Sequence, residues 1–101
     1  MRKEEFRNWM DGKIKARPIS DCLSRCSRVE RVLGVDLDDA YAQDQGEGVL
    51  SKLQYTIADE RANKPYNPEF GFKEGACIRF RYTDLRSAVK KYFAFCSERN
   101  G

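Results

Sequence analysis

The chain has no histidine among its 101 residues. That absence excludes histidine-dependent triads, zincin motifs and imidazole acid–base chemistry. Long apolar runs are missing too. No stretch approaches the roughly 20 residues of a membrane span, and the opening Met1-Arg2-Lys3-Glu4-Glu5 lacks the apolar core of a secretory signal. There is no G-x-x-x-x-G-K-[ST] loop and no G-x-G-x-x-G fingerprint, since Gly46-x-Gly48 lacks a third glycine and a preceding strand. Carboxylates are plentiful, but none forms an isolated pair in an apolar setting that would drive two pKa values apart. Length adds a further limit. A chain of this size forms one domain, residues 1–101, and buries about two-thirds of its unfolded surface, which leaves little room for a core and a deep catalytic cavity together. The expectation is a non-enzyme without a cofactor or a small-molecule substrate.

Cysteine is sparse and poorly spaced for metal. Zinc sites usually show two short Cys knuckles, whereas Cys22, Cys26, Cys77 and Cys96 are separated by three, fifty and eighteen residues, with no histidine to help. Cys22 and Cys26 lie one helical turn apart on an apolar face and read as small core hydrophobes. A disulfide within one turn has poor geometry. Free thiols and no signal segment point to a reducing, cytoplasmic compartment.

What the sequence does have is charge, laid out in blocks. The net charge of +3 conceals nine Lys/Arg against five acids over residues 1–34, one against seven over 35–60, and nine against four over 61–101. If the two basic blocks share a face, that face can track a phosphate backbone. If they pair with the acidic middle, the charges cancel.

Apolar periodicity predicts an all-α bundle of about five helices. Phe6, Trp9 and Met10 mark a first helix over 3–11, stopped near Gly12. A second opens at Pro18 or Ser20 and runs to Gly34, with Ile19, Cys22, Leu23, Cys26, Val29 and Leu33 as its buried stripe. Asp36 caps a third, with Asp38 and Asp39 at the positive end of its dipole and Leu37, Ala40 and Tyr41 turned inward. The Asp36-x-Asp38-Asp39 cluster does not continue as an EF-hand loop and is better read as capping. The fourth helix spans 48–60 on Val49, Leu50, Leu53 and Ile57, leaving Tyr55 off the stripe and partly exposed. The last, over 83–98, is capped by Thr83 or Asp84 and buries Leu85, Ala88, Val89, Tyr92, Phe95 and Cys96.

Between the last two lies a Pro- and aromatic-rich stretch, 61–81. Pro65 and Pro68 forbid a regular helix there. Ile78-Arg79-Phe80-Arg81-Tyr82 alternates like a strand, and Phe70-Gly71-Phe72 is its natural hairpin partner across Lys73-Glu74-Gly75. An ordered loop pinned by its aromatics, with at most a short hairpin, is the preferred reading.

Two sets of residues suit nucleic acid. Tyr66, Phe70, Phe72, Phe80 and Tyr82 interleave with Lys64, Lys73, Arg79 and Arg81, a mixture that can stack on bases and hold phosphates, although a domain this small also needs its aromatics for the core. Arg25, Arg28 and Arg31 step along the second helix, and Arg86, Lys90 and Lys91 along the last. Helix-borne cations of this kind hold duplex phosphates without reading sequence. The candidate contacts are therefore Arg25, Arg28, Arg31, Arg79, Arg81, Arg86, Lys90 and Lys91, with Ser24 and Ser27 beside the arginines of the second helix.

The segment Tyr82-Thr83-Asp84-Leu85-Arg86-Ser87-Ala88-Val89-Lys90-Lys91-Tyr92-Phe93-Ala94-Phe95 resembles the last helix of the N-terminal core-binding (SAM-like) domains of phage integrases and other tyrosine recombinases. Phe6-x-x-Trp9-Met10, a short linker and a helix-opening Ser are similar to the start of that domain. In that family the domain is a four- or five-helix bundle that clamps one side of duplex DNA. The recombinase catalytic domain, with its Arg, His and Tyr set, is absent, so the resemblance implies a binding module and not a recombinase. The expectation is a detached or stand-alone module, or the targeting part of a larger phage, nuclease or restriction-type protein. The ending Arg99-Asn100-Gly101, just past the last predicted helix, suits a domain boundary. The expected partner is double-stranded DNA. The alternative is a protein-interaction or oligomerisation module, such as a small phage or defence-system regulator, suggested by the acidic middle and the many aromatics.

Overall fold

The computed structural model describes residues 1–73 and 75–100. The described chain is all-α: α1 (Lys3–Met10), α2 (Ala16–Leu33), α3 (Leu37–Asp44), α4 (Glu47–Lys52), α5 (Ile57–Arg61) and α6 (Ile78–Asn100), with a 3-10 turn at Pro68–Phe70. The two long helices, α2 and α6, pack on each other as the spine, and the short ones are laid around them. The 3.6-residue apolar repeat of α2 accounts for this. Ile19, Cys22, Leu23, Cys26 and Val29 share one buried face. They meet Leu85, Ala88, Val89, Tyr92, Phe95 and Cys96 of α6 in one core cluster. α1 closes that cluster from one end. Phe6 is fully buried and meets Tyr92 edge to face at 4.9 Å between ring centroids, with Phe95 at 5.5 Å.

Helix ends follow local chemistry. Gly34 takes the left-handed conformation at the end of α2, with φ of 65°. Asp36 caps α3 as expected: its Oδ1 accepts from the backbone N–H groups of Asp38 at 2.8 Å and Asp39 at 3.3 Å. Gly46 must be glycine. Its φ is +84°, and a Cβ placed there would run into the Phe93 ring.

Several boundaries differ from the sequence pattern. α2 begins at Ala16, so Pro18 sits inside its first turn and Ser20 is not its cap. The helix expected over 48–60 is two helices. Thr56 and Asp59 form a reciprocal capping box that starts α5 afresh. The break resets the register: Ile57, expected inside, is 53 % exposed, and Tyr55, expected to be partly exposed, is buried. Tyr55 stacks on Tyr82 at 5.5 Å, and its hydroxyl donates to the Lys64 carbonyl at 2.7 Å. The aromatic contact decides which way the residue turns.

No hairpin forms among the described residues; Glu74, in the expected turn, lies outside them, as does Gly101. Residues 68–70 make the 3-10 turn, and Phe70, Phe72 and Tyr82 pack ring to ring. The apolar–basic alternation at 78–82 is instead the start of α6. Ile78 and Tyr82 are also four residues apart, so they fit one helical face as well as one strand face. Thr83 does not cap; its hydroxyl donates to the Arg79 carbonyl, 2.9 Å away inside the helix.

Candidate nucleic-acid interface

The outward face of α2 is polar because its apolar residues are taken by the core. Ser20, Ser24 and Ser27 recur at four and three, with Arg28 and Arg31 beside them. α1 crosses at the edge of this face. Its buried Phe6 and Met10 fix its rotation, and Lys3 and Arg7, four residues apart, are left exposed along the seam. The result is a concave groove of about 430 Å³ lined by Lys3, Arg7, Ser20, Leu23, Ser24, Ser27, Arg28 and Arg31. Its lining carries four cations and no carboxylate.

The groove continues past Ser24 and Arg28 into a second hollow of about 230 Å³, where α2 meets the first turns of α6. Arg25 and Arg81 enter there, with Phe72 and Leu85, but so do Asp21 and Asp84. The two halves therefore differ in charge: one is purely cationic, the other nearly balanced. Among the described residues, none of Lys3, Arg7, Arg25, Arg28, Arg31 and Arg81 lies within 4.0 Å of a carboxylate oxygen. Cations that line one hollow repel one another, and a bound polyanion relieves that repulsion.

The structure thus brings together Arg25, Arg28, Arg31 and Arg81 of the eight sequence candidates. Arg79, Arg86 and Lys90 are seven and four residues apart and share the other side of α6. There Arg79 Nε donates to Glu60 Oε2 at 2.9 Å and its guanidinium lies over the Phe80 ring, 4.6 Å from the centroid. Arg86 donates to the Leu53 carbonyl at 3.4 Å. Lys91 lies half-buried between the two sides, near Cys22. The Cys22 and Cys26 thiols face the Ala88 carbonyl oxygen, at 3.7 Å and 3.4 Å, as packed core groups. Lys3 and Arg7 were missed by sequence reasoning. The signal was present in their spacing of four beside the buried stripe of the first helix.

The acidic middle has a different use. Asp38 Oδ1 accepts from the Tyr92 hydroxyl at 2.6 Å and from the Arg2 guanidinium at 3.2 Å, and Asp44 accepts from the N–H groups of Gly46 and Gly48, each at 3.0 Å. The Met1 ammonium sits among Glu30 at 3.3 Å, Asp36 at 3.2 Å and Asp38 at 3.8 Å. These acids lie on α3, at its N-terminal cap and near the end of α2, and none of them lines the groove. Among the described residues no helix is long and apolar enough to cross a membrane.

No protein family, no curated protein and no solved structure matches the chain.

Proposed function

We propose that this chain is a non-catalytic helical module that binds double-stranded DNA, in the manner of the core-binding domains its last helix resembles, and serves as the targeting part of a larger phage or restriction-type protein. The observation that carries the reading is the cationic half of the groove, where Lys3, Arg7, Arg28 and Arg31 converge from two helices without a carboxylate among them. Phosphates are the natural counter-charge for such a surface. The test is fluorescence anisotropy of a labelled duplex of about 20 base pairs, titrated at low and moderate salt. Micromolar affinity that falls steeply with salt is expected, because binding releases condensed counterions. No binding at low salt would sink the reading.

A second reading has an observation of its own. Phe80 is 57 % exposed, Ile57 53 % and Tyr66 39 %. Exposed aromatic and aliphatic side chains favour a protein-interaction or oligomerisation module. Sedimentation at high concentration separates the two, since a salt-insensitive dimer supports the second reading and a strict monomer removes its self-association form.

A further inference from the structure

The shape of the groove bears on how DNA is read. Base edges lie at the floor of the DNA grooves, so reading them needs a convex element, a helix or ribbon that protrudes into the duplex. The cations here line a hollow between α1 and α2, and a hollow receives a ridge. The ridges of a duplex are its sugar–phosphate strands. The lining chemistry agrees. Neither half of the groove contains Asn or Gln, the partners of adenine, while Arg, Lys and Ser are suited to phosphate oxygens.

We infer that the groove is a sequence-blind grip on the phosphodiester backbone, centred on Lys3, Arg7, Arg28 and Arg31, and weakened at its α6 end by Asp21 and Asp84. The inference rests on the DNA-binding reading and adds which helices hold the strand and what they ignore. α1 is as much part of the grip as α2. The far side of α6, with Lys90, is not.

The experiment is the same anisotropy titration, run on unrelated duplexes over a salt series with four proteins. These are the unchanged chain, Lys3→Gln with Arg7→Gln, Asp84→Asn, and Lys90→Gln. All change exposed or half-buried side chains, and circular dichroism confirms folding. Unrelated duplexes should bind within about threefold of one another, against the 10³ or more that separates specific from non-specific sites for base readers. The slope of log K against log salt should be no steeper than about −5 for six cations, and the Lys3/Arg7 variant should lose nearly two units of it. Asp84→Asn should tighten binding about twofold, a gain that simple damage to the fold would not produce. Lys90→Gln should change little. A sequence preference above tenfold would overturn the sequence-blind claim. An unchanged slope in the Lys3/Arg7 variant, or an equal loss in Lys90→Gln, would overturn the placement of the grip. Both outcomes leave DNA binding itself standing, whereas failure of the unchanged chain to bind any duplex removes the reading beneath it.

Discussion

The cationic groove on α1 and α2 and the acidic region around α3 use charge in opposite ways. Asp36, Asp38 and Asp44 are tied into the chain itself: they cap a helix, receive the Tyr92 hydroxyl and hold the turn at Gly46 and Gly48. Lys3, Arg7, Arg28 and Arg31 have no such partners within ion-pairing distance among the described residues. Acids build this fold, and the groove cations are left over from it. A charge engaged in folding is conserved energy for the chain alone, while an unengaged charge is available to something outside. The comparison gives a rule that mutation can break: changes on the acidic side should cost stability, and changes in the groove should cost binding but no stability.

The largest effect is expected where the acidic region turns. Gly46→Ala puts a Cβ into the Phe93 ring at a left-handed φ of +84°. Overpacking and backbone strain together cost about 3 kcal/mol or more, which chemical denaturation would read directly. Next comes Asp38→Ala, which strands the buried Tyr92 hydroxyl and frees the Arg2 guanidinium. A loss of about 2 kcal/mol is expected from the unmet donors, with DNA affinity unchanged once folding is corrected for. If Asp38→Ala proved neutral, the acids would not be structural and the comparison would fail.

pH gives a smaller effect with two signs. For the Met1 ammonium, burial opposes the charged form, but hydrogen bonds and charges from Asp36 and Glu30 outweigh it and raise its pKa above the ordinary 8.0. Its contribution is full below that value and is lost as pH rises through the folded pKa. Asp36 is the reverse. Burial again opposes charge, but the ammonium and the N–H groups of Asp38 and Asp39 hold its carboxyl below the ordinary 3.8. Its contribution is present above that value and is lost as pH falls through the lower folded pKa. The melting temperature should therefore decline on both sides, below about pH 4 and above about pH 8. Asp36→Asn should flatten both arms, because it removes one partner of each. Neutralising groove arginines should flatten neither.

The legibility of this chain follows the range of the forces involved. The α2 and α6 stripes were readable because a three–four apolar repeat over many residues has one solution, a buried helical face. The Asp36 cap was readable because capping is local. The division of 48–60 was missed although the Thr56-x-x-Asp59 capping box that makes it is local, because the stripe Val49, Leu50, Leu53, Ile57 fits one helix; the Tyr55–Tyr82 stack, 27 positions apart in sequence, lay beyond any local pattern. The start of α6 was lost for a simpler reason: five alternating residues satisfy period two and also place Ile78 and Tyr82 at i, i+4. At the candidate site, the arginines of α2 were visible because they step along one helix. The joining of Lys3 and Arg7 to them, and of Arg81 rather than Lys90, depends on how three helices dock.

The smallest effect on stability should come from the groove, and it is the most informative. Arg28→Gln with Arg31→Gln changes two exposed side chains that line the cation-only hollow and make no ion pair among the described residues. Surface changes of this kind normally stay within about 0.5 kcal/mol, and here the sign should be slightly favourable, since removing two of four converging cations reduces their mutual repulsion. The same variant should lose at least about tenfold in DNA affinity at low salt, and its salt slope should fall by nearly two units. Denaturation and anisotropy on one protein preparation measure both. Stability gained while binding is lost is the signature of charge held for a partner. A variant that loses both would place Arg28 and Arg31 with the acids, as parts of the fold.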